Sequence, residues 1–103
     1  MNLSDIISHF CKMARIDPAF YSEAHGLFVK GAMQKVEPIL RQGVNRSDMR
    51  ISMFVASIAN LNWQNTLEHE EDIITANTLV QGYARICLDS GMIKTNPYAE
   101  AKT

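Results

Sequence analysis

Apolar residues recur along this chain at steps of three and four, the period of helices that bury one face. Leu3, Ile6, Ile7, Phe10, Met13 and Ala14 fall on one side of a helix predicted over residues 3 to 15. Ser4 and Asp5 lie in its first turn and Lys12 and Arg15 in its last, as the helix dipole favours. Ile16-Asp17-Pro18 interrupts it, because a residue before proline avoids the helical region. Asp17 then offers a cap and Pro18 a first position, which predicts a second helix starting there. On that helix Phe20, Ala24, Leu27, Phe28, Gly31 and Ala32 hold an apolar stripe, although Gly26 and Gly31 each cost about 1 kcal/mol relative to Ala. Pro38 removes a backbone donor and clashes with the carbonyl of Gln34. The helix therefore kinks or breaks near Lys35, and a short piece carries Val36, Ile39 and Leu40 up to Gly43.

A third helix follows, capped by Asn45 with Asp48 three residues on, or by Ser47 alone. Its apolar face of Ile51, Phe54, Val55, Ile58 and Ala59 is widened by Met49, Met53 and Leu61, which makes it the expected centre of the core. Asn60, Asn62 and Asn65 compete for backbone partners around Trp63, so a boundary is expected between residues 61 and 66. Asn65 with Glu68, or Thr66, then starts a last long helix that Asp89-Ser90-Gly91 finishes. Ile73, Ala76, Leu79, Val80, Tyr83, Ile86 and Cys87 form its stripe. The expected fold is all-α, a compact bundle of four principal helices and dimeric, with one domain over residues 1 to 93 and a loosely ordered tail over 94 to 103.

Composition narrows the function classes. In 103 residues, 47% are hydrophobic and 20% charged, enough for one packed core, and a formal net charge of -1 gives no global field for a polyanionic partner. No apolar run approaches the ~18 residues of a membrane helix, and Met1-Asn2-Leu3-Ser4-Asp5 lacks the basic start of a secretion signal, so no membrane partner and a cytoplasmic setting are expected. Cys11 and Cys87 have no CxxC spacing and read as buried apolar filler in a reducing compartment.

Chemistry finds little foothold. No Gly-x-Ser-x-Gly, Cys-Gly or glycine-rich phosphate loop occurs, so no catalytic residue, no cofactor and no enzyme activity are expected. Glu68, His69, Glu70, Glu71 and Asp72 form an acidic run whose Glu68, Glu71 and Asp72 share a helix side, but His9 and His25 lack the Glu-x-x-His partnership of a di-metal site. No metal is expected; those three carboxylates are candidate contacts for a basic partner surface.

Between residues 30 and 50, the bases Lys30, Lys35, Arg41, Arg46 and Arg50 meet only Glu37 and Asp48, a local balance of +3. Arg41, Arg46 and Arg50 could present a turn to phosphates, which keeps a nucleic-acid-binding transcriptional regulator as the alternative reading. The following helix, however, carries Met49, Ile51, Met53, Phe54 and Val55 and reads as core. Trp63, among four amides, either plugs the end of the bundle or anchors a partner. Tyr21, Phe28 and Met33 give the second helix apolar surface on more than one side, and a helix apolar on two sides is buried twice. The reading is a small non-enzymatic interaction or regulatory protein, a homodimer that modulates a protein partner, as a regulator or inhibitor does, by binding through Tyr21, Phe28, Met33, Trp63, Glu68, Glu71 and Asp72.

Overall fold

A computed structural model describes residues 1–98, and over these the chain is an all-α bundle of four principal helices without strands. The first helix, α1, is Leu3–Ala14; the Asp5 N–H donates to the Asn2 side chain at 3.1 Å, and Arg15, at φ 57°, closes the other end. Asp17 and Pro18 do start a helical segment, but it lasts one 3-10 turn, Pro18–Phe20, with the Ala19 N–H held by Asp17 at 2.9 Å. Tyr21 and Ser22 are then extended, and α2 is Glu23–Val36. The expected start at Pro18 is thus five residues early, because a better cap lies downstream: the Ser22 N–H donates to Nδ1 of His25 at 3.0 Å.

Pro38 breaks the second helix as expected, α2 giving way to a 3-10 turn over Glu37–Ile39. Gly43, at φ 83°, sits in the loop beyond, not at the helix end. Neither expected cap of the third helix is used: Asp48, expected only as the partner of Asn45, is itself the cap and accepts the Arg50 N–H at 2.9 Å, while Asn45 serves a local turn to Ser47. The third helix, α3, is Met49–Leu67, so the boundary expected between residues 61 and 66 is absent. Asn60 and Gln64 turn inward and bond each other at 3.1 Å, leaving the backbone its own partners, and the chain leaves the helix only at Glu68, φ 59°. The last helix, α4, is Glu70–Asp89, closed by Ser90 and by Gly91 at φ 71°.

The core is organised around α3. Ile51, Ser52 and every residue from Phe54 to Asn60 are buried, so no side of its middle turns faces water. Against it α1 sets Ile6, Phe10 and Cys11; α2 sets Val29, Ala32 and Val36; α4 sets Ala76, Val80, Ala84 and Cys87. Both cysteines are buried free thiols. The buried face of α2 therefore differs from the expected stripe: Leu27 is 71% exposed, Phe20 75%, and Ala24 also faces out. On α4, likewise, Ile86 is exposed.

Beyond α4 the chain pairs with the segment after α2. Leu40 and Ile93 form an antiparallel bridge, with the Arg41 N–H on the Met92 carbonyl at 2.9 Å and the Lys94 N–H on that of Ile39 at 2.8 Å. Tyr98 packs edge-on against Phe54, ring centres 5.9 Å apart. Residues 99 to 103 of the expected tail lie outside the described residues.

Two consequences are measurable. Phe54→Ala, at a fully buried position on α3, should lower the free energy of urea unfolding by about 3–5 kcal/mol, while Leu27→Ala should change it by no more than ~0.5 kcal/mol. Hydrogen bonds from the Arg50 side chain and backbone hold the Asp48 carboxyl down to about 2. A carboxylate with a depressed folded value stabilises the fold above its unfolded value of about 4 and loses that contribution as pH falls through the folded one. Asp48→Asn should therefore flatten the fall of stability between about pH 4 and pH 2, and an acid limb identical to the parent's would remove the pair from the account.

Candidate functional site

Because α1 and α2 are each held by α3 and barely touch one another, a groove opens between them. It encloses about 890 Å³ and is walled by Leu3 and Ile7 of α1 and by Glu23, Leu27 and Lys30 of α2, with Tyr21 and Ser22 of the linking segment at one end. Its lining is mostly apolar, and Leu3 is 49% exposed there. A Cβ added at Gly26 would lie 3.4 Å from the Tyr21 hydroxyl, in ordinary contact with it. Phe20, the most exposed large apolar side chain described, immediately precedes the groove-lining Tyr21.

Behind this groove stands a chain of rings. Phe10 meets Tyr21 edge-on at 6.2 Å, Tyr21 stacks on His25 at 5.8 Å, and His25 meets the edge of Trp63 at 4.7 Å. Trp63 also packs edge-on with Phe28 at 5.6 Å. Of the four expected apolar contact residues, Tyr21, Phe28 and Trp63 are thus half-buried members of one cluster, and Met33 is half-buried against the core. Trp63 closes the seam between α2 and α3. Burial pushes the Tyr21 phenol and the Cys11 thiol up from their ordinary values.

The acidic trio is not one helix face. Glu68 is the residue that ends α3, whereas Glu71 and Asp72 lie with Glu70 in the first turn of α4. His69 lies 3.6 Å from Asp72, both well exposed. Among the described residues no three His, Cys, Asp or Glu side chains are grouped to hold a metal ion. The first-turn carboxylates do what the α4 dipole favours.

Two of the three candidate nucleic-acid arginines are engaged within the fold. Arg46 donates to Glu37 at 2.7 Å, and Arg50 donates to both Asp48 oxygens at 3.0 and 2.9 Å and to the Ser90 hydroxyl at 3.2 Å. Arg41 is exposed. The Cys87 thiol donates to the Arg50 carbonyl at 3.5 Å, and burial pushes it up to about 11, so it stands as a protonated thiol at neutral pH.

The residues that sequence reasoning missed are Leu27 and Phe20 as open surface. The available signal was the pair of competing stripes on α2: Val29, Ala32 and Val36 recur with helical spacing as well as Ala24, Leu27 and Gly31 do. No helix among the described residues is long and apolar enough to cross a membrane. No family model matches this chain, and neither a curated protein nor a solved structure matches it.

With both thiols buried, the native protein should take up no thiol reagent at neutral pH within minutes, while in urea Cys11 and Cys87 should both react. Stoichiometric native labelling at Cys87 would contradict its placement beneath Arg50.

Proposed function

We propose that this chain is a small non-enzymatic helical interaction protein, a homodimer that modulates a protein partner by binding it in a reducing, cytoplasmic compartment. The observation that carries the reading is the open apolar groove between α1 and α2, with Leu3 and Leu27 on its walls and Phe20 beside it. Covering Phe20 and Leu27 alone would remove on the order of 250 Å² of apolar surface from water, favourable by about 6 kcal/mol before the costs of association. The half-buried ring cluster gives that surface a rigid backing, since Tyr21 belongs both to the groove lining and to the cluster. Two buried free thiols favour a reducing compartment.

The nucleic-acid reading has less support, because of its three candidate arginines Arg46 and Arg50 already meet carboxylates within the fold and Arg41 alone does not. An enzyme reading has less support, because burial pushes both thiols of the chain, Cys11 and Cys87, away from the thiolate form.

Affinity capture from the native cell lysate, with and without nuclease, tests the proposal. Wild type should retain a protein that survives nuclease treatment, and a folded Leu3→Asp/Phe20→Asp variant should lose it. Retention that disappears with nuclease would transfer the assignment to nucleic acid. No retention at all would end the interaction reading.

A further inference from the structure

Helix α2 has two apolar sides, of which the fold uses one. Val29, Ala32 and Val36 are buried against α3, while Glu23, Ala24, Leu27 and Lys30 face out. Leu27 is flanked one turn away on either side by Ala24 and Gly31. A Cβ added at Gly31 would meet no atom within 4 Å, so this fold has no steric need for a glycine inside α2 at that place. Small residues either side of an exposed leucine leave room for another helix to approach closely.

We infer that the outward face of α2 is a self-association surface, on which a second copy of this chain lays its own α2 antiparallel about a two-fold axis beside Leu27. This rests on the reading of the chain as an interaction protein and names one occupant. The charges decide both the occupant and the direction. Glu23 lies four residues before Leu27 and Lys30 three after it, and neither forms an ion pair among the described residues. A two-fold axis beside Leu27 brings Glu23 of each copy within a turn of Lys30 of the other, so the complementary pair forms twice. A parallel pairing would set Glu23 against Glu23 and Lys30 against Lys30.

The ends of the bundle agree. His25 meets Trp63 at 4.7 Å, so the start of α2 lies by the end of α3, the end that carries Glu68, Glu70, Glu71 and Asp72. The other end of α2 leads through exposed Lys35 to exposed Arg41. Antiparallel pairing sets the acidic end of one copy toward the basic end of the other. One exposed leucine between small residues and two charge pairs make a modest contact, so the association should be of about micromolar strength and should weaken with salt.

Sedimentation equilibrium of the full chain at low salt, from about 1 to 200 μM, tests this with charge reversals. Wild type should dimerise in the micromolar range. Glu23→Lys and Lys30→Glu, at exposed positions, should each weaken dimerisation about tenfold, since each turns two attractions into two repulsions. Glu23→Lys also sets a positive charge in the first turn of α2, so retained helix content by circular dichroism, not an unchanged melting temperature, is the check that it folds. An equimolar mixture of the two single variants should associate as tightly as wild type, because opposite charges face each other again, and the double variant should recover for the same reason. A monomer throughout the range, reversals without effect, or a mixture no tighter than its components would overturn the inference. If the chain is monomeric yet still captures a nuclease-resistant protein through Leu3 and Phe20, only the second copy is lost. If capture also fails, the interaction reading falls with it.

Discussion

The middle of α3 has no polar side, and the rest of the architecture answers to that. Nine of its residues between Ile51 and Asn60 are out of water, so a single covering helix cannot suffice. α1, α2 and α4 each supply a short apolar row against it, and the result is a thin body, 35 × 35 × 17 Å, built around one helix and not from four equivalent ones. Helices whose first obligation is to a central partner have little left for each other. The gap between α1 and α2, and with it the groove, is a consequence of this arrangement.

Polar groups inside so apolar a helix are handled locally. The Ser57 hydroxyl donates to the Phe54 carbonyl at 2.6 Å and the Gln64 amide to Asn60 at 3.1 Å, both within α3. Only the Ser52 hydroxyl is buried without a partner among the described residues, at a cost of about 1–3 kcal/mol. The two ends of α3 are tied to its neighbours by different means. At its start Arg50 links Asp48, Ser90 and, through its carbonyl, Cys87. At its end Trp63 meets His25 and Phe28 of α2. The same His25 caps α2 through Ser22, so one imidazole both starts that helix and packs it.

Much of this was legible from the chain itself. The four helices, the break at Pro38, the central place of α3 and the terminator at Gly91 follow from spacing, proline and glycine. The departures have specific causes. Asp17-Pro18 is a sound cap signal satisfied by a single 3-10 turn, and the true cap uses histidine where glutamate or glutamine is the usual third-position partner. Asparagines read as helix weakeners only while their side chains are free to reach the backbone, and Asn60 is not free. The α3 to α4 turn runs through Glu68 at positive φ, a position where glycine or asparagine is the expected sign. On α2, periodicity identified apolar residues but could not rank two stripes. The β-branched one went inside, leaving Leu27 outside and placing Tyr21, Phe28 and Trp63 in a cluster behind the candidate surface.

The central claim is that covering α3 uses one face of α2 and leaves the other uncovered in a lone chain. Hydroxyl-radical footprinting of the full chain in dilute solution, read residue by residue by mass spectrometry, tests it most directly. The account predicts rapid oxidation of Phe20 and Leu27 beside an unreactive Phe54 and Ile58. Protection of Leu27 in the dilute monomer, or oxidation of Phe54 at a rate comparable to Leu27, would contradict it.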